Sequence, residues 1–306
     1  MQKITFGPIV SRRFGVSLGV DLSPSNKQCN FDCLYCELGG AKTTQSMQEV
    51  LPLQEVLNAI ETALKKEQNI DVLTITANGE PTLYPHFTAL SSKLKPLVQG
   101  RCKTLILSNG SRFLIPEVQK GLLEFDIVKF SLDCVSEKIF KKIDRPHKSL
   151  HINEILQGIQ EFATLYQGEL VCEILVLENL NDTQEEMEKI AEFTQKIKVA
   201  RIDLGTLDRP PAYKAKGVEI EKLRELALSF KGQCVSIPMR EQYSMEHKLK
   251  PKDANEVYDI ISRRPIGVEE CSILFDDGVD LIQELLQAER IVVKKVANMD
   301  FFVINS

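Results

Sequence analysis

The 306-residue sequence predicts an α/β protein: a partial (β/α)6 TIM-like barrel of parallel strands with a small C-terminal winged-helix-like domain. Three observations predict it. Between residues 16 and 205, six short apolar runs with strand character alternate with crossover segments, as parallel strands joined by right-handed crossovers require. Turn-forming and polar residues gather just after these runs, where the chemistry of such barrels collects. Beyond Pro238 the pattern changes to a polar stretch, then helices and a hairpin. Six units rather than eight leave the barrel incomplete.

The first strand is residues 16–21, whose apolar positions alternate until Pro24 and Asn26 break the run. Residues 51–66 place Leu53, Val56, Leu57, Ile60 and Leu64 at helical spacing. A strand over 70–77 runs into Asn78-Gly79-Glu80-Pro81-Thr82, which holds a carboxylate on a tight, stiff turn between glycine and proline. The strands over 103–108 and 126–131 end in Asn109-Gly110 and Leu132-Asp133. Asn109 reads as turn chemistry. Ser131 and Asp133 read equally as turn chemistry or as groups that bond a ribose or an amino-acid moiety. Lys129 reads as lying inside the barrel or pairing with a neighbouring carboxylate.

Residues 151–166 form a helix with Ile152, Ile155, Leu156, Ile159 and Phe162 on one face, and 170–177 the fifth strand. Asp182 or Thr183 caps the helix that runs to Ile197. The sixth strand, 199–205, ends in Thr206-Leu207-Asp208-Arg209-Pro210-Pro211. Guanidinium forks suit carboxylate and phosphate. Arg12 and Arg13 before the first strand, and Arg209 after the last, are therefore candidates for an anionic part of substrate or cofactor, with ordinary ion pairing as the alternative.

These elements divide the chain into a core domain, 1–240, a linker, 241–254, and a small domain, 255–306. In the last, a short helix over 257–261, the segment 266–275 and a helix over 279–289 precede a two-strand ribbon, a helix, helix, helix and hairpin order that resembles a winged helix-turn-helix. Asp277, Asp280 and Glu284 make a poor face for phosphates, so packing or protein docking is expected rather than DNA binding. A formal charge of −5 does not advertise nucleic-acid binding either. Residues 1–14 lack the apolar run of a secretory signal, and no stretch approaches the ~18 consecutive apolar residues of a membrane span. A reducing cytoplasm is the expected location.

The most informative stretch is Cys29-Asn-Phe-Asp-Cys33-Leu-Tyr-Cys36. A loop of this spacing can aim three sulfurs at one centre, as thiolate-held clusters require. A structural zinc site closes with four protein ligands, yet the next cysteine is Cys102 and the first histidine His86. Three ligands leave one position open, which points to catalysis. A zinc knuckle completed from afar and unligated thiols are the other readings. The remaining five cysteines stand singly in mostly apolar contexts and read as small buried hydrophobes.

This loop, followed one helix later by the Gly-Glu-Pro turn, resembles the radical S-adenosylmethionine (radical SAM) superfamily. The segments Phe6-Gly-Pro-Ile-Val-Ser-Arg-Arg-Phe-Gly, Asn78-Gly-Glu-Pro-Thr, Phe130-Ser-Leu-Asp and Leu207-Asp-Arg-Pro-Pro together resemble a narrower group, the stand-alone Fe-S oxidoreductases related to the tRNA-wyosine synthases. Asn78 stands where the superfamily usually has a first glycine. The resemblance implies a [4Fe-4S] cluster on Cys29, Cys33 and Cys36, with S-adenosylmethionine chelating the fourth iron. It implies that the turn at Gly79 and Glu80 receives the cofactor's amino group, and that Tyr35, Ser131, Asp133 and Asn181 touch the rest. It also implies reductive cleavage to a 5′-deoxyadenosyl radical that takes hydrogen from an unidentified small-molecule, peptide or RNA substrate. The electron would come from a donor such as flavodoxin or ferredoxin. Wyosine-like tRNA modification is the alternative chemistry, although the extra cysteines of a second cluster have no match here. A non-enzymatic iron–sulfur redox sensor with a DNA- or protein-binding C-terminal module is the alternative of another class.

Overall fold

The computed structural model describes residues 3–11, 13–237, 251, 253–263, 265–275, 278–296 and 299–305. An eight-stranded sheet follows chain order: β1 (Thr5–Ser11), β2 (Gly15–Asp21), β3 (Val72–Thr76), β4 (Lys103–Ser108), β5 (Ile127–Ser131), β6 (Glu169–Val176), β7 (Arg201–Thr206) and β8 (Val235–Ser236). The strands from β2 to β8 are parallel throughout, and β1 pairs antiparallel with β2. All six predicted strands are present in the predicted order. Two were not foreseen. β1 carries Gly7 and Pro8 and a register shift between Phe6 and Ile9, which hide strand periodicity. β8 is two residues long and has no periodicity to read.

The helices that cover the sheet are α1 (Leu53–Lys66), α2 (Phe87–Val98), α3 (Pro116–Leu122), α4 (Glu137–Ile143), α5 (Ile152–Leu165), α6 (Gln184–Ile197) and α7 (Ile220–Ala227). α1 buries Val56, Leu57, Ile60 and Leu64, and sets Glu55 in its first turn and Lys65 and Lys66 in its last, in the sense its dipole favours. α6 is capped by Thr183, whose hydroxyl accepts from the Glu186 N–H at 3.3 Å. Glu186 itself is buried and accepts from the Val135 and Ser136 N–H groups at 2.8 and 2.9 Å, pinning the segment after β5 to this helix.

The main core lies between the sheet's outer face and these helices. On the inner face, Val72, Leu105, Ile127 and Val171 form a separate apolar cluster with Phe14 and Leu107. Val72, Leu105, Ile127 and Val171 sit in the amino-terminal halves of their strands and fill that end of the barrel.

The C-terminal unit comprises α8 (Ala254–Arg263), β9 (Ile266–Gly267), α9 (Val268–Leu274), α10 (Gly278–Gln287), β10 (Ile291–Val296) and β11 (Met299–Ile304). Its three strands pair in the order β10–β11–β9, and it has its own core around Val257, Ile261, Ile266, Leu285 and Phe302. α8 begins before the predicted 257–261 helix and ends after it. The predicted linker lies largely outside the described residues. Among the described residues, no helix is long and apolar enough to cross a membrane.

Candidate active site

The cysteine loop follows β2 and is fastened by four separate segments. The Gln28 N–H donates to the Asn78 carbonyl at 2.8 Å, and the Glu80 N–H donates to the Gln28 carbonyl at 3.1 Å, so the loop pairs with the Gly-Glu-Pro turn. The Asp32 and Leu34 N–H groups donate to the Asp144 and Ile143 carbonyls at the end of α4 at 3.0 and 2.8 Å. The Thr44 N–H closes on the Cys29 carbonyl and the Ala212 N–H on the Cys36 carbonyl, both at 2.8 Å. Gly79 has φ +140°, and a Cβ there would lie 1.9 Å from the Gln28 carbonyl oxygen. Only glycine permits that approach.

Cys29, Cys33 and Cys36 are free and partly buried. Cys29 Sγ accepts from the Phe31 N–H at 3.4 Å and Asn109 Nδ2 at 3.8 Å, and Cys33 Sγ donates to Asp144 Oδ1 at 3.6 Å. Burial and the nearby Glu80 carboxylate push the Cys29 thiol up to about 12. Burial and Asp144 raise Cys33 well above an ordinary thiol. Among the described residues, no group of three or more His, Cys, Asp or Glu side chains is already gathered around a single metal-ion position. Of the other cysteines, Cys134, Cys172 and Cys271 are buried as expected; Cys102 is only partly so, and Cys234 is exposed beside the short β8, against the expectation.

Glu80 is 1% exposed. Its Oε1 accepts from the Thr82 N–H and hydroxyl and from the Ser108 hydroxyl at 3.0, 2.6 and 2.8 Å, and its Oε2 from the Asn109 N–H at 2.7 Å. Burial raises its pKa against the pull of these donors. The carboxylate is thus a strut between the turn and the end of β4. Asn109, read as turn chemistry, reaches the cysteine loop: its Nδ2 donates to Asn30 Oδ1 at 2.8 Å.

Ser131 is the last residue of β5, in register with Glu173. Asp133 Oδ2 accepts from the Tyr35 hydroxyl at 2.5 Å and its Oδ1 from the Leu175 N–H at 2.7 Å; burial pushes the carboxyl up to about 7. Asn181 is fully buried, and its Oδ1 accepts from the Leu177 N–H at 2.8 Å. Its Nδ2 donates to the Asp133 and Leu175 carbonyls at 2.8 and 2.9 Å. Its amide therefore knits the ends of β5 and β6 together. Asp144, which the sequence did not single out, lies buried between the Cys33 and Cys134 thiols, and burial beside Asp133 raises its pKa well above the usual range.

Between the strand ends and the C-terminal unit is a cavity of about 750 Å³. Tyr35 and Cys36 line one side, Thr76, Leu175, Gly205 and Thr206 the strand ends, and Met299 of β11 contributes from the C-terminal unit. Arg209 lines the cavity too, with its Nη1 on Glu37 Oε1 at 3.0 Å. Burial opposes its charge, but Glu37 and Asp208 hold its pKa above the ordinary guanidinium value. The ion-pair reading of Arg209 therefore describes the geometry. Arg13 pairs with Glu173 at 2.9 Å and Asp203 at 3.2 Å inside the barrel. Lys129 reaches the same two carboxylates at 2.6 and 3.7 Å, so both of its predicted placements hold at once. Arg12 lies outside the described residues.

The model of the Radical SAM superfamily matches residues 24–194. The chain belongs to the radical SAM superfamily. The match begins just before the cysteine loop and ends within α6, so it spans the loop, the Gly-Glu-Pro turn and four parallel strands, β3 to β6. A UPF0026 protein of Helicobacter pylori (strain ATCC 700392 / 26695) is 48% identical over 98% of this chain and 97% of its own length. A UPF0026 protein of Methanocaldococcus jannaschii is 36% identical over 74% and 71%. Among solved structures, TYW1 with a lysine–pyruvate adduct bound aligns at TM-score 0.52 and 15% identity, covering 71% of this chain and 74% of that one. Streptococcus suis SuiB bound to S-adenosylmethionine aligns at TM-score 0.54 and 16% identity, covering 72% and 51%. These two share the fold with this radical SAM enzyme.

Proposed function

We propose that Cys29, Cys33 and Cys36 hold a [4Fe-4S] cluster at which S-adenosylmethionine binds, and that the substrate is a small molecule or peptide. When bound, these groups supply reductive cleavage to a 5′-deoxyadenosyl radical and hence hydrogen abstraction from an unactivated C–H bond. One observation carries the reading: the backbone of Gln28, next to Cys29, is paired directly with the Gly79-Glu80 turn. The thiol loop and the turn that would take the cofactor's amino group are one rigid unit. The donor set supports a cluster as well, because three thiols without an imidazole suit soft iron–sulfur ligation.

The chain's own residues then divide the work. Glu80 fixes the turn without offering its carboxylate, which Thr82, Ser108 and Asn109 already occupy. Asp133 holds the Tyr35 hydroxyl, which presents the ring to the cavity beside Cys36. Asn181 keeps the ends of β5 and β6 in place, so that Ser131 and the strand-end backbone meet the cofactor in a fixed frame. The apolar plug below and the cavity walls above limit water near the reacting atoms. The electron comes from a separate one-electron carrier of the flavodoxin or ferredoxin type. Residues 1–240 form the catalytic domain and 255–306 an accessory one.

The test is anaerobic reconstitution with iron and sulfide, then dithionite and S-adenosylmethionine, with 5′-deoxyadenosine as the product measured. Product is expected from the native chain and from none of Cys29→Ala, Cys33→Ala or Cys36→Ala. A Cys29→Ala variant that keeps the full cluster spectrum overturns the ligand assignment. A well-formed native cluster that binds no cofactor and yields no product overturns the activity.

A further inference from the structure

We infer that the floor of the cavity is a binding site for a zwitterion: Arg13 takes the substrate's carboxylate and Glu173 its ammonium group, so the substrate is a free α-amino acid or a small molecule with the same two charges. The inference rests on the proposed radical chemistry at the cysteine loop and names the substrate class for it.

Four charged side chains meet in one layer above the apolar plug, and they are not equivalent. Asp203 is fully buried and is already met by Lys129 at 3.7 Å and by Arg201 at 2.7 Å. Lys129 is 6% exposed and points its ammonium into the two carboxylates. These two lie behind the cavity wall. Arg13 and Glu173 line the cavity itself, and the Glu173 side chain is 31% exposed to it. Both cations bond the same oxygen of Glu173, Oε1, which leaves Oε2 as the oxygen for a ligand. Burial works against the Glu173 charge, but Lys129 and Arg13 hold its pKa below the ordinary value, so it meets a ligand as an anion.

On the cationic side, Arg13 spends Nη1 on Glu173 and turns Nε to Asp203. Its Nη2 faces Gly205, where a Cβ would stand 3.9 Å away. Glycine at that strand position keeps the approach to the guanidinium open. A guanidinium and a carboxylate side by side, each with donor or acceptor capacity left, complement a molecule that carries both charges on neighbouring atoms. An anion alone would meet Glu173, and a cation alone would meet Arg13. Either pays a like-charge repulsion that a zwitterion avoids.

Depth and size agree. The cavity's roughly 750 Å³ lies within the range of small-molecule sites. A ligand anchored at the floor would extend its side chain toward Tyr35 and Cys36 of the cysteine loop, the side on which the cofactor is proposed to bind. Met299 and the Arg209–Glu37 pair stand above it.

The experiment uses reconstituted holoenzyme saturated with S-adenosylmethionine, titrated calorimetrically with the twenty standard free amino acids. Each one that binds is then compared with its N-acetyl and methyl-ester derivatives. At least one free amino acid is expected to bind, and each blocked charge to weaken it roughly tenfold or more. In Glu173→Gln the N-acetyl derivative and the parent should bind equally weakly. Absence of any binding, or derivatives that bind as well as the parent, shows that the ion pairs only hold the barrel together. Binding only without S-adenosylmethionine would make the floor the cofactor's headgroup site and overturn the inference. Should Glu173→Gln fail to fold, the ligand comparison on the native chain still decides. The same preparation is assayed for 5′-deoxyadenosine: product without amino-acid binding overturns this inference alone, whereas no cofactor binding and no product overturns the radical reading beneath it.

Discussion

A methyl group added at Gly79 would enter the space of the Gln28 carbonyl, 1.9 Å from its oxygen, in a backbone conformation that side chains rarely adopt. The obstacle is backbone on both sides, so no rotamer change relieves it. Gly79→Ala should therefore separate the turn from the cysteine loop and abolish S-adenosylmethionine binding, with cluster content after reconstitution reduced. Equilibrium dialysis with labelled cofactor and iron analysis check both. Retained cofactor binding would show that the pairing of Gln28 with Gly79 is dispensable. At this scale the sequence displays which residues matter more readily than how they act. Glu80 is recognisable from its neighbours Gly79 and Pro81. That its carboxylate is consumed by Ser108 and Asn109 is not, since those partners lie 28 and 29 residues away on another strand. Asn181 stood out as a polar residue after a strand, but the three bonds that bury its amide depend on the register of β5 and β6.

Among the elements, the segment after β7 acts as a strap across the cysteine loop. Arg209 holds Glu37, the Ala212 N–H holds the Cys36 carbonyl, and the Tyr213 hydroxyl donates to Asp32 Oδ2 at 2.6 Å. Arg145 joins from the end of α4, pairing with Asp32 at 3.1 Å and stacking on the Tyr213 ring at 4.1 Å. A loop that carries three ligands gains from such fastening, because less order must be imposed when the ligands bind. Tyr213→Phe removes one hydroxyl and leaves the ring to stack. It should leave folding intact and speed cluster loss severalfold when a chelator is added anaerobically, followed by the decay of visible absorbance. An unchanged rate would mean that the strap does not bear on the loop. Six of the eight strands and the helices α1, α5 and α6 were legible because their apolar periodicity is local, whereas α2, with Pro96 inside it, was not singled out. The strap was legible only as a proline-stiffened strand end, since its partners come from the other end of the barrel's sequence.

For the whole molecule, the C-terminal unit is more than an appendage, because one of its side chains reaches the frame of the site. Arg263 at the end of α8 donates to Asp21 Oδ2 at 3.3 Å and to the Lys3 carbonyl at 2.7 Å, and lies over the Phe6 ring at 5.3 Å. Asp21 is 1% exposed at the end of β2. Its other oxygen accepts from the Ser23 and Asn78 N–H groups at 2.9 and 2.8 Å. Asn78 directly precedes Gly79, so a single carboxylate links the C-terminal unit to the turn proposed to receive the cofactor. A second tie runs from Lys294 Nζ to the Pro211 carbonyl at 3.4 Å, on the strap. A change of composition after Pro238 made this unit visible in the sequence, but its docking was not, since Arg263 and Asp21 are 242 residues apart. Burial already raises the Asp21 pKa, with Arg263 opposing that rise. Removing the guanidinium leaves a buried carboxylate without its cation, a loss of about 3–5 kcal/mol when such pairs are fully buried. Arg263→Ala should therefore lower the stability measured by urea unfolding and also weaken S-adenosylmethionine binding, whereas a mere surface contact would leave both unchanged. The paired substitution Asp21→Asn with Arg263→Ala should recover part of the stability, since no charge is then stranded. If the double variant recovers stability but not cofactor affinity, the link through Asn78 governs the site. If both recover together, the pair serves only to hold the C-terminal unit on the barrel.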